Sequence, residues 1–221
     1  FAASDKYRLV WNDDPTRTMT IGWDQSDSVE NPVIYYGEED HGRKYWKYDN
    51  EKEKSKICRH YTMKTHFAKL EGLKANTAYY FVIKDEQGVS KRHWFKTAPD
   101  TPEPFTFVAG GDTKSFDGPL EAGRNSNRVV SKLRPLFVIY NGDFTSGDGT
   151  KPDRWEKWLN DWYKLTTTDD RRMIPIVPVH GNHENGDMAN LTYIFDAPFQ
   201  NNDSTNIYYS LSFGNDFFHM I

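Results

Sequence analysis

The residues with the most chemical promise follow three apolar runs in the second half of the chain. Residues 105–109 lead into Gly111-Asp112, residues 137–140 into Asn141-Gly142-Asp143, and residues 174–179 into His180-Gly181-Asn182-His183-Glu184. Carboxylates, a carboxamide and imidazoles can hold a metal ion, and a metal ion neutralises the oxygens of a phosphate. The donors can meet if the three runs are parallel strands, because loops that leave successive parallel strands gather at one sheet edge. A single Gly-Asp or Gly-Asn pair is ordinary turn chemistry. Three of them, each directly behind an apolar run, favour one shared site.

The elements that would position these loops are legible around them. Val129, Val130 and Leu133 fall at i, i+1 and i+4, which gives a short amphipathic helix ending before Pro135. Trp155, Trp158, Leu159 and Trp162 fall at i, i+3, i+4 and i+7 on a second helix. That stripe reads as core packing rather than as a carbohydrate platform. The resulting order, βαβαβ, is that of an open α/β layer. Upstream, residues 19–23, 33–36, 79–83 and 93–96 have the two-residue period of strands and are separated by Asp, Asn, Gly and Pro turns. Pro99, Pro102 and Pro104 make an extended connector between the halves.

The ordered set Gly111-Asp112, Gly142-Asp143 and Gly181-Asn182-His183-Glu184 resembles the calcineurin-like metallophosphoesterase superfamily. The segment before Pro102 resembles the sandwich that precedes the catalytic domain in purple acid phosphatases. Leu73 to Tyr79 is similar to the tyrosine corner of fibronectin type III domains, where Tyr79 would hydrogen-bond back to the main chain. Residues 208–219 resemble the strand pair that follows the Gly-Asn-His-Glu loop. The resemblance implies a fibronectin III-like β-sandwich over 1–99, a linker over 100–104, and the N-terminal part of a metallophosphoesterase α/β sandwich over 105–221.

It further implies phosphate-ester hydrolysis by a hydroxide activated on two divalent or trivalent ions, Fe, Zn or Mn. Asp112 would hold the first ion, Asp143 would bridge both and Asn182 would hold the second. His183 would touch a phosphate oxygen or protonate the leaving alkoxide, with Glu184 orienting its ring. Direct metal ligation by His183 is the alternative. His180 is expected to face the core or support its loop.

Two positions depart from the family pattern. Purple acid phosphatases place an iron-binding Tyr where this chain has Ser146, and other members of the superfamily place a His where it has Lys114. The family's further histidine ligands, including a Gly-His-X-His motif, do not occur in this sequence. The expectation is therefore the N-terminal portion of a longer enzyme, inactive alone, with a partial or empty metal site. The apolar residues 217–221 would leave an unfinished sheet edge through which the chain could self-associate. A different class stands beside this one: an extracytoplasmic carbohydrate- or protein-binding module derived from the phosphatase fold.

Composition narrows the partners. With 37% apolar residues the chain can bury sizeable cores, and its formal charge of −4 gives no general attraction to nucleic acid. A phosphorylated small molecule or phosphoprotein would have to be drawn by charge at the site itself. No stretch is apolar enough to suggest a membrane span. Cys58 is the only cysteine, which excludes an intrachain disulfide and suits a small core residue. Asn190-Leu191-Thr192 and Asn202-Asp203-Ser204 match the glycosylation acceptor pattern, and Phe1-Ala2-Ala3-Ser4 opens the chain without Met. The expected location is extracytoplasmic: secreted, periplasmic or surface.

Overall fold

The structure is a computed structural model that describes residues 1–25, 29–114, 120–199, 207–216 and 218–220. The N-terminal half is all β: β1 (Ser4–Val10), β2 (Met19–Gln25), β3 (Val33–Gly37), β4 (Asn50–Glu53), β5 (Lys56–His60), β6 (Met63–Leu70), β7 (Ala78–Asp85), β8 (Gly88–Val89) and β9 (His93–Lys96). After it come β10 (Val108–Gly110), α1 (Leu120–Leu133), β11 (Val138–Tyr140), α2 (Pro152–Thr166), β12 (Ile176–Pro178), α3 (Asn190–Phe195), β13 (Leu211–Phe213) and β14 (Phe218–Met220).

The period-two runs all become strands. One sheet of the sandwich has the order β4-β3-β7-β8, with β9 also on β7. The other is part of a seven-stranded sheet ordered β10-β11-β12-β1-β2-β6-β5. Strand β2 is buried at all seven positions, so its alternation does not separate a wet face from a dry one. The Tyr79 hydroxyl accepts a hydrogen bond from the Lys74 amide at 2.9 Å, the main-chain contact expected of it.

The seven-stranded sheet joins the two halves of the chain. Strands β10, β11 and β12 are parallel, and β12 is also parallel to β1, with Val10 opposite Ile176 and the Trp11 amide bonded to the Ile176 carbonyl at 3.2 Å. The apolar interior follows this continuity. Leu9, Trp11, Ile21, Phe81 and Phe95 share a core with Phe137, Met173 and Val177. Arg8, fully buried, donates to the Ile194 carbonyl at 2.7 Å, to Asp24 at 3.0 Å and to Thr65 Oγ1 at 2.6 Å, so no charge is left bare.

Helix α2 starts with Pro in its first turn, where the missing N–H costs nothing. Its Trp155, Trp158, Leu159 and Trp162 are all buried, packed with Val138, Phe144, Ile176 and Phe195. The tryptophan stripe is core. Helix α1 is longer than the three apolar positions suggest and buries Val130, while Val129 and Leu133 stay exposed.

Strands β13 and β14 form the expected antiparallel pair, but as a separate two-stranded sheet. Phe213 and Phe218 pack against Phe105 and Phe137 with their rings tilted or edge to face. The ends of the large sheet are instead β10 and β5. Asn190 is fully buried and donates to the Glu184 carbonyl at 3.2 Å, so it is not a glycosylation acceptor; Asn202 lies outside the described residues. Cys58 is buried. Among the described residues, no helix is long and apolar enough to cross a membrane.

Candidate active site

The three loops start at the same height. Gly110 pairs with Tyr140 and Tyr140 with Pro178, so the chain leaves each strand at the C-terminal edge of the parallel sheet. Two glycines let the loops touch. A Cβ on Gly142, at φ +73°, would run into the Gly181 main chain, and one on Gly181 would meet the Asp143 amide nitrogen and carboxylate. The Asp112 amide donates to the Gly142 carbonyl at 3.0 Å, tying the first loop to the second. Asp112 and Asp143 both hold left-handed backbone, at φ +59° and +55°, which Asp tolerates better than most residues.

Asp143 is more enclosed than Asp112, with its side chain 15% exposed against 68%. Its Oδ1 accepts the His183 amide at 3.0 Å, and its Oδ2 lies 3.5 Å from the Lys114 ammonium. The same ammonium is 2.8 Å from Asp112 Oδ1. One cation thus touches both carboxylates. Their hydrogen bonds and charges hold the ammonium above the ordinary lysine pKa, Asp112 foremost. Asp112 is otherwise exposed, and Asn182 is exposed at the head of a short 3-10 turn, Asn182–Glu184.

Glu184 departs from its expected role. Its carboxylate is fully buried and accepts three main-chain amides: Asp143 at 2.8 Å and Gly181 at 2.9 Å on Oε2, and Phe144 at 3.0 Å on Oε1. Both oxygens are committed to the backbone, so Glu184 clamps the second loop to the third instead of orienting the His183 ring. Burial raises its pKa, and the three amides pull against that shift. The His183 ring has its Nδ1 3.9 Å from Asp148 Oδ1.

His183 Nδ1 and His180 Nε2 are buried without a hydrogen-bond partner. Burial also pushes His180 toward its neutral form, with the nearby Asp143 charge opposing. Ser146 is buried with its hydroxyl accepting from Arg154. Tyr140 bonds Thr113 and Trp158, and burial pushes its pKa up to about 12, so it stays a neutral phenol.

The sandwich also contributes to this region, which sequence reasoning missed. His60, at the end of β5, places Nε2 2.8 Å from the Gly149 carbonyl, which also accepts from Trp155 Nε1 at 2.8 Å. Its other nitrogen lies 3.5 Å from Asp187. His60 thereby supports the 147–150 turn that carries Asp148. No local sequence signal marks a histidine in a sandwich hairpin as a neighbour of a distant loop.

The donor types suit hard cations, and the orphaned imidazole nitrogens leave room for a further partner. The geometry does not suit two ions. Lys114 stands between the carboxylates, Glu184 is consumed by amides, and no three His, Cys, Asp or Glu side chains among the described residues gather closely enough to hold a metal.

Comparison with known proteins finds two family models and structures of similar fold. Residues 4–97 match the family model of the purple acid phosphatase N-terminal domain, and residues 124–219 match that of the calcineurin-like phosphoesterases. The chain joins one to the other. It is similar to the structure of purple acid phosphatase PPD1 from yellow lupin (Lupinus luteus) seeds, with a TM-score of 0.69 and 16% identity over 95% of this chain and 43% of that one. It is also similar to the structure of PhoD, with a TM-score of 0.67 and 11% identity over 97% of this chain and 51% of that one. At these identities the likeness concerns the fold. The chain spans about half the length of these two structures or less. No curated protein sequence matches it.

Proposed function

We propose that the three loops belong to a metal-dependent phosphoesterase acting on a phosphorylated small molecule or phosphoprotein outside the cytoplasm. The observation that carries the reading is the meeting of two acidic loops on one cation, with the His183 amide on the central Asp143. The family matches and the likeness in fold support the reaction class.

In this reading Asp112, Asp143 and Asn182 are the metal-facing groups. Were Lys114 to yield its place between the carboxylates, metal bound there would neutralise phosphoryl oxygens and supply a nucleophile at neutral pH. His183 moves the leaving-group proton, since its ring stands on the same loop with Nδ1 unbonded. Glu184 positions the backbone of both loops and touches no reacting atom. A binding-module role has less support, because the tryptophan stripe that would serve as a platform is buried.

With no three His, Cys, Asp or Glu side chains gathered among the described residues, the 221-residue chain alone is expected to hydrolyse an aryl phosphate at background rates. The reading is tested on the protein as its organism makes it. Turnover should require metal, disappear with a chelator and be abolished by Asp143→Asn. His183→Ala should lower kcat roughly 10²- to 10⁴-fold with metal retained. Turnover that survives Asp143→Asn would overturn it.

A further inference from the structure

We propose that Lys114 is a tethered cation that occupies the gap between Asp112 and Asp143 and keeps a divalent ion from bridging them. The inference rests on the metal-dependent reading above for the identity of the competing ligand, and on geometry for the rest.

The Lys114 ammonium lies 2.8 Å from Asp112 Oδ1 and 3.5 Å from Asp143 Oδ2. An ion shared by the two carboxylates would need that same space. The ammonium is delivered from a fixed base. The Asp112 amide is bonded to the Gly142 carbonyl at 3.0 Å and the Lys114 amide to the Asp143 carbonyl at 3.5 Å, so the lysine backbone is laced to the loop that carries Asp143. Both Asp112 and Lys114 hold left-handed backbone, φ +59° and +31°, in the turn from which the ammonium reaches the two carboxylates.

Charge then decides the competition. Two carboxylates with one ammonium between them are half neutralised. An arriving divalent ion must break both contacts or sit beside a like charge, and either lowers its affinity. The lysine is partly exposed on a flexible four-carbon stem, so the effect is a competition and not a sealed block.

The test measures Mn²⁺ binding by the whole 221-residue chain at fixed salt, reading free Mn²⁺ by its electron spin resonance. Lys114→Met and Lys114→Gln remove the charge, Lys114→Arg keeps it, and near-ultraviolet circular dichroism checks each fold. The neutral variants should bind Mn²⁺ at least roughly tenfold more tightly than the parent, since each loses a like charge within a few ångströms of the ion. Lys114→Arg should bind like the parent, and Asp143→Asn added to Lys114→Met should remove the gain. Equal affinity in the parent and both neutral variants overturns the proposal, whether that affinity is high or absent, and so does a gain that survives Asp143→Asn. Tighter metal binding with no phosphatase activity in the natural protein would retire the phosphoesterase reading and leave the role of Lys114 standing. Turnover by a parent that already holds two ions would do the reverse.

Discussion

Replacing Glu184 by Gln separates a structural clamp from a catalytic partner. The carboxylate accepts three amides, two on one oxygen and one on the other. Gln has one acceptor oxygen. If it faces Gly181 and Asp143, its NH₂ meets the Phe144 amide donor to donor. A buried unsatisfied donor costs about 1–3 kcal/mol, and each surviving bond loses up to about 1 kcal/mol of charge assistance. Relief comes from burying a neutral amide in place of a carboxylate whose charge burial already disfavours. The net expectation is a loss of about 2–3 kcal/mol, or roughly 4–12 °C in Tm for a chain of this size. Thermal unfolding followed by tryptophan fluorescence reads the first quantity, and native-state hydrogen exchange at the Asp143, Phe144 and Gly181 amides locates it. An unchanged Tm with unchanged protection at those amides would refute the clamp.

Three further outcomes follow from the structure. His93 Nε2 accepts from Arg171 at 2.6 Å and lies 2.9 Å from the Tyr163 hydroxyl, and burial, reinforced by Arg171, holds its pKa well below 6.5. The unfolded chain therefore takes up this proton first, and stability should fall as pH drops below 6.5, by up to about 1.4 kcal/mol per pH unit from this group; an identical slope in His93→Gln would show that His93 is not responsible. His60→Ala should speed amide exchange in residues 147–150 roughly tenfold by removing one of two donors to the Gly149 carbonyl, whereas unaltered exchange there would sever the sandwich from the site. Trp158→Ala should cost about 3–5 kcal/mol, as a core deletion does, and a variant with full stability would return the tryptophan stripe to the surface.

How far the sequence could be read depended on the range of the interaction. The convergence of the three loops was legible because each follows its own apolar strand, and parallel strands bring their exits together whatever the separation along the chain. The tryptophan stripe and the Tyr79 contact were legible for a local reason, since the period of the stripe and the Lys74–Tyr79 bond each lie within a few residues. The strands are shorter than the apolar runs: β12 spans only Ile176–Pro178, between Pro175 and a terminal proline, and neither proline can donate to a ladder. The role of Glu184 was not legible. Its adjacency to His183 suggested a side-chain pair, but the 3-10 turn buries its carboxylate against three amides from two loops. The contacts of His60 with Gly149 and of β1 with β12 were equally hidden, because no local pattern encodes which distant backbone a strand or side chain will meet.

The pairing of β1 with β12 has a consequence for how the chain is made. Synthesis proceeds from the N-terminus, and domains generally fold as they emerge. Strand β1 can find β2 early, yet its opposite edge stays without a partner until Ile176 has left the ribosome. Through that interval the nascent sandwich carries an open strand flanked by Leu9 and Trp11, side chains whose final core includes Phe137 and Val177. A nascent chain stalled between the two family regions is thus exposed to edge-to-edge pairing with its neighbours on the same polysome.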